Sequence, residues 1–176
     1  MKKISLCLAA VLGVFTLSAA ELAINGAFDK MNSKTGLPEK WFFNAWAGYK
    51  PSPAVKVIKD GKANALEFTG SKSKNGFGIS NFANFPCKKG QVVTVTARVK
   101  GQGTMFFQLQ TFGAKKWTGL LPAANVTLTP DWKDVKVTLP VDDVKGKDPT
   151  VKAMFTFGAA AKTQNLTISS IKADLK

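Results

Sequence analysis

Whatever chemistry this chain does, it does without histidine. Its 176 residues include 25 Lys+Arg and 11 Asp+Glu but no His, which excludes a histidine-dependent triad and a His-ligated zinc site. Hydrolysis of a glycosidic bond would need two carboxyl groups roughly 5–9.5 Å apart flanking it. Most of the acids here fall in turns or at strand ends, and Glu67, inside Ala65-Leu66-Glu67-Phe68, has no second acid to pair with. Gly-x-Ser-x-Gly, P-loop and dinucleotide-binding patterns are all absent. The expectation is a protein that is not an enzyme.

What the chain offers instead is flat rings and neutral polar side chains. It has 13 Phe, 4 Trp and 1 Tyr. A polyhydroxylated ligand is recognised by apolar ring faces beside fixed donors and acceptors, which Trp, Tyr, Phe, Gln and Arg supply. Trp46 and Tyr49, in Asn44-Ala-Trp46-Ala-Gly48-Tyr49, and Trp117, after Gly113-Ala-Lys-Lys116, lie in loop-like stretches of small residues. A ring shown to water on a loop needs a reason, and stacking on a ligand supplies one. Trp41 and Trp132 follow turn-forming segments and are expected to pack as core. Arg98, Phe106, Gln108 and Gln110 form the polar part of the candidate site, through the strands that carry them.

Those strands show a period of two, not 3.6. In Gln91–Lys100, Val93, Val95, Ala97 and Val99 alternate with Val92, Thr94, Thr96 and Arg98. In Thr104–Thr111, Met105, Phe107 and Leu109 alternate with Phe106, Gln108 and Gln110. Asp134–Leu139 and Val151–Phe157 repeat the pattern, the second placing Val151, Ala153, Phe155 and Phe157 inward. Further strands are expected at Ala54–Ile58, Ala65–Thr69, Phe77–Asn81, Ala124–Leu128 and Leu166–Leu175, separated by turn residues such as Asp60-Gly61. With the apolar sets facing inward, Arg98, Phe106, Gln108 and Gln110 point to water, and a one-residue slip would reverse them all. Many short strands and no long amphipathic helix make the chain all-β: an antiparallel jelly-roll β-sandwich.

The first twenty residues read differently. Met1-Lys2-Lys3, the apolar run Ile4–Leu17 and the small residues Ser18-Ala19-Ala20 match a secretory signal peptide of bacterial type. The apolar run is too short for a spanning helix. Residues 1–20 are therefore expected to be cleaved, leaving 21–176 as one domain with no membrane span. The product would be secreted, periplasmic or at the cell surface. Cys87 would be its single thiol, expected to be buried. The formal charge of +14 comes from lysines scattered along the chain. Scatter keeps a surface soluble and also attracts an acidic polymer. Nucleic acid is not an expected partner, since no recognised nucleic-acid motif is present.

Three stretches, taken in order, resemble a known family. They are Leu22-Ala-Ile-Asn25-Gly26-Ala-Phe28-Asp29 with Gly36-Leu-Pro38-Glu-Lys-Trp41, then Lys89-Gly90-Gln-Val-Val-Thr-Val-Thr-Ala-Arg-Val-Lys100, then Leu128-Thr-Pro-Asp131-Trp132 through Leu175. Together they are similar to carbohydrate-binding modules of the family 4, 9 and 22 type, jelly rolls of the galactose-binding-like group. The resemblance implies a non-catalytic protein that binds polysaccharide in a sheet-lined cleft. The alternative is a structural or adhesion domain that presents the same face to a protein or envelope partner. It also implies a structural calcium held by an acid of the opening motif, here Asp29, and an acid of the closing strand. That strand has Ser169 and Ser170 at the corresponding place.

Overall fold

A computed structural model describes residues 19–44, 55–69 and 76–176. In chain order these form β1 (Ala20–Glu21), β2 (Trp41–Asn44), β3 (Val55–Asp60), β4 (Ala63–Thr69), β5 (Phe77–Asn81), β6 (Phe85–Pro86) and β7 (Val92–Gln102). They continue with β8 (Thr104–Phe112), β9 (Trp117–Leu120), β10 (Ala124–Thr127), β11 (Lys133–Pro140), β12 (Lys152–Ala159) and β13 (Asn165–Leu175). One sheet is six-stranded and runs β11-β7-β13-β4-β3, with β1 added to β13. The other is seven-stranded and runs β10-β8-β12-β5-β2, with β6 on β12 and β9 on β8. Every pairing is antiparallel. This is the all-β jelly-roll sandwich expected from the alternation.

Burial follows the period of two on β7, whereas β8 and β12 are largely buried on both faces, so Phe106 and Gln110 do not point to water as expected. Val93, Val95, Ala97 and Val99 face inward from β7, and Met105, Phe107 and Leu109 from β8. Ala153, Phe155 and Phe157 do so from β12. Phe28, Phe68 and Phe77 complete a ring-rich core around Trp41. The Trp41 ring meets Phe157 edge-on at 5.1 Å and 80°, and its indole N–H donates to the Asn25 carbonyl at 3.3 Å. Trp41 is core, as expected, and each fully buried Phe around it contributes about 2–3 kcal/mol by area removed from water.

Two expectations are corrected here. Trp132 is half-buried and outside the core; its ring lies under the Arg98 guanidinium at 5.6 Å and the Lys100 ammonium at 4.6 Å. Favourable cation–ring contact on the outer side of β7 has taken the place of core packing. Val151 is 43% exposed, because it precedes β12 and its N–H is drawn to the Phe112 carbonyl. Cys87 is buried as expected, and burial pushes its thiol pKa up to about 11.

Candidate functional site

Opposite the core, the seven-stranded sheet presents a second set of side chains whose cross-strand neighbours are fixed by register. Gln108 pairs with Thr156, Thr156 with Ser80, and Ser80 with Phe42. One row away, Phe106 pairs with Gly158 and Gly158 with Gly78. On the other side, Gln110 pairs with Met154 across β12 and with Leu120 across β9. Lys152, at the end of β12, is the single charge among the described strand residues of this face.

The middle of the face is a closed polar floor. The Ser80 and Thr156 hydroxyls lie 2.6 Å apart, and the Gln110 amide donates to both, at 3.0 and 3.1 Å. Gln110 is only 7% exposed. Gln108 is half-buried and donates to the Leu121 carbonyl at 2.7 Å. A backbone carbonyl only accepts, so that bond fixes the Gln108 NH₂ inward and leaves the amide oxygen as the group offered outward. Gln108 is therefore a prepositioned acceptor, and Gln110 a buried support beneath it.

Beside this floor is a place without side chains. A Cβ at Gly158 would lie 2.1 Å from the Phe77 carbonyl oxygen, and one at Gly78 would lie 2.7 Å from that of Phe157. β5 and β12 approach too closely there for anything but glycine. The Phe106 ring fills part of the gap, its Cζ 3.0 Å from where a Gly78 Cβ would sit. Phe106 is 8% exposed, so it belongs to the floor and is not an open stacking platform.

Rings rise at both edges of the face. On β9, Trp117 is 53% exposed, paired with Phe112 and three positions before the exposed Leu120. At the other edge Phe82, 64% exposed, lies 4.2 Å from Phe42, whose pairing with Ser80 places it on the same outer side. From β9 to β2 the sheet is four strand spacings wide, about 19 Å. Between these rings Ser80 and Thr156 are fully buried and Gln110 nearly so, and Gln108 is the half-exposed polar group.

Four of the expected site residues meet here, and a fifth is excluded by the fold. Phe106, Gln108, Gln110 and Trp117 share the seven-stranded sheet. Arg98 does not: it is on β7 of the six-stranded sheet, pairs with Asp134 at 3.6 Å and contacts Trp132. Outward residues of the two sheets of a sandwich look in opposite directions, so Arg98 is separated from the glutamines. Trp46 and Tyr49 lie outside the described residues. Phe42 and Phe82 were missed by the sequence reading. Phe82 follows a short strand in Asn81-Phe82-Ala83-Asn84, and a lone Phe amid Asn residues was the available signal.

Asp29 stands elsewhere. It is exposed and lines a surface cavity of about 430 Å³ with Glu39, Lys30, Lys40 and Lys172. The Lys40 ammonium donates to the Ala23 carbonyl in that cavity at 3.0 Å. With Glu21 also lining it, three carboxylates stand among three ammonium groups there. Among the described residues, no three Asp, Glu or Cys side chains gather to hold a metal.

No family model matches this sequence, and no curated protein matches it either. Solved structures do match in fold. One described as a study of CBM4 structure and function has a TM-score of 0.52 at 19% identity, covering 86% of this chain and 98% of its own. The family 11 carbohydrate-binding module of a Clostridium thermocellum cellulosomal cellulase has a TM-score of 0.57 at 12% identity, covering 89% and 95%. A cyclase from Fischerella sp. has a TM-score of 0.54 at 13% identity, covering 90% and 98%. The fold is therefore the jelly roll of carbohydrate-binding modules, and one that cyclases also use.

Proposed function

We infer that this chain is an exported, non-catalytic carbohydrate-binding protein that holds a polysaccharide across the outer face of its seven-stranded sheet. The observation that carries this reading is a rigid polar strip between exposed rings. Gln108, Gln110, Ser80 and Thr156 are locked in place, while Trp117 and Phe82 stand open at the edges. Sugar rings would stack on Trp117 and Phe82, and hydroxyl groups would donate to the Gln108 amide oxygen. Neutral glycans suit this strip, because its described strand residues carry no carboxylate and one lysine at the margin. The same feature favours binding over hydrolysis, which needs flanking acids. The likeness to carbohydrate-binding modules supports the reading through shared architecture, and a shared fold alone does not fix function.

Export rests on the Lys2-Lys3 start, the apolar run and the small residues before Glu21. Among the described residues no helix is long and apolar enough to cross a membrane. The corresponding location is secreted, periplasmic or at the cell surface.

The test is titration against a panel of neutral soluble polysaccharides. Trp117→Ala should weaken binding by about tenfold or more, and Gln108→Ala by a smaller factor, with circular dichroism unchanged in both. Flat titrations of the parent protein across the panel would remove the proposal. Recovery of a protein partner that free sugar does not displace would favour an adhesion domain instead.

A further inference from the structure

The charge of this chain is not spent on the outer face of the seven-stranded sheet. On the outer face of the six-stranded sheet, register places Lys136 opposite Thr96 and Thr96 opposite Lys172. Two ammonium groups thus flank one hydroxyl, from strands about 10 Å apart. All three residues are exposed. Ser170 joins them because the ladder slips between Ile168 and Ser170 and the bulged strand presents that side chain beside Arg98. Thr96, Arg98, Lys136, Ser170 and Lys172 line one shallow cavity of about 390 Å³, with Asp134 at its rim. In the next row Lys100 stands over Trp132, continuing the line of cations along β7.

Apart from Asp134, the carboxylates of this face lie outside the cavity. Glu67 is taken by Lys56 at 2.9 Å, and Asp134 reaches Arg98 only at 3.6 Å with both side chains well exposed. Asp174 on β13 and Glu21 on β1 pair across their strands in the row beyond Lys172, without an ion pair among the described residues. Among the described residues Lys100, Lys136 and Lys172 have no ion-pair partner. The strand face is flat and open, which suits an extended polymer better than a small ion.

We propose that the outer face of the six-stranded sheet, centred on Thr96 between Lys136 and Lys172, is a second binding surface, specific for an anionic polysaccharide. Carboxylate or sulfate groups of the polymer sit between the two ammonium groups and accept from the Thr96 and Ser170 hydroxyls. Arg98 and Lys100 extend the contact along β7. This surface is independent of the cleft, so one molecule engages a neutral glycan on one side and an acidic one on the other.

Binding of the protein to polygalacturonate and to dextran sulfate, at two salt concentrations, tests the proposal and separates carboxylate from sulfate recognition. The double variant Lys136→Gln/Lys172→Gln should lose affinity for the preferred polymer by about tenfold, with weaker salt dependence. Thr96→Asp should abolish binding. Lys145→Gln/Lys147→Gln removes equal charge from an exposed loop and should change affinity by less than about twofold. Trp117→Ala should leave acidic binding intact, so failure here and failure of the cleft reading are distinguishable. Equal losses in the two double variants would reduce the effect to net charge and overturn the site. Single-stranded DNA bound as tightly as either polymer, with the same loss in the variant, would overturn the assignment to polysaccharide.

Discussion

On the outer side of the seven-stranded sheet, Gln110, Ser80 and Thr156 bond to one another, and Gln108 is tied to the Leu121 carbonyl. On the outer side of the six-stranded sheet, Lys136 and Lys172 extend into water with Thr96 between them. Both faces are set by the same period of two, and both sit on one core. They differ in how order is supplied. The first face loses little freedom when a ligand arrives, because the sheet has already fixed its polar groups, and such preorganisation favours fit and selectivity. The second face is made of long, mobile side chains and acts through its field, which favours reach and depends on salt. A jelly roll has two outer surfaces, and this sequence has given them opposite characters.

The sharpest way to break the comparison is to attack the backbone that supports the first face. Gly158→Ala puts a methyl group 2.1 Å from the Phe77 carbonyl oxygen and 2.4 Å from the Gly78 Cα. β12 and β5 must then move apart, and the expected destabilisation is on the order of 3 kcal/mol. Thr96→Ala, on the exposed outer side of β7, should stay within about 0.5 kcal/mol. Urea unfolding midpoints of the two variants measure the contrast. Similar midpoints would mean that the close approach of β5 and β12 relaxes easily, and that the floor is not rigid.

A middle-sized effect separates floor from rim within the first face. Gln110→Ala removes the donor that Ser80 and Thr156 share, although those hydroxyls keep each other at 2.6 Å. Stability should fall by about 1–2 kcal/mol, from a lost buried hydrogen bond and a small void. Trp117→Ala, removing a half-exposed ring, should cost little stability and most of the glycan affinity. If Gln110→Ala bound glycan normally while melting earlier, Gln110 would be a support for the site and not a contact.

The alternation that defines both faces was legible from Val93, Val95, Met105, Phe107, Leu109, Phe155 and Phe157, because burial in a sandwich enforces a period of two. Strand identity within a sheet was not. Arg98 and Gln108 sit ten residues apart on successive strands, and nothing local shows that β7 and β8 belong to different sheets. Sequence neighbours usually pair, yet here β7 pairs with β11 and β13, and β8 with β12, β9 and β10. Trp132 was misread for a related reason: its partners Arg98 and Lys100 come from another strand, so its own neighbours gave no sign of them. β2, β6 and β9 carry four residues or fewer, too few for alternation to register, and the exposed ring at Phe82 lies just past the end of β5, where alternation has stopped. Trp117 opens β9 and not the loop-like stretch expected of it, but its exposure follows the local signal of an indole among small residues and lysines.

The smallest predicted effect refines the electrostatic side of the contrast. Asp134 is the one carboxylate lining the Thr96 cavity, paired with Arg98 at 3.6 Å with side chains 80% and 48% exposed. An open pair of this length contributes little to stability, so Asp134→Asn should leave the unfolding midpoint unchanged. It removes the only negative charge among the cavity's lining residues and releases Arg98 to a ligand. Affinity for an acidic polysaccharide should therefore rise by about two- to fivefold at low salt, with the gain disappearing as salt is added. Neutral glycan binding should not change, because the substituted residue is on the opposite sheet. A gain on both ligands would mean that the faces communicate, and a loss on the acidic one would mean that Asp134 orients Arg98 for binding and does not merely compete for it.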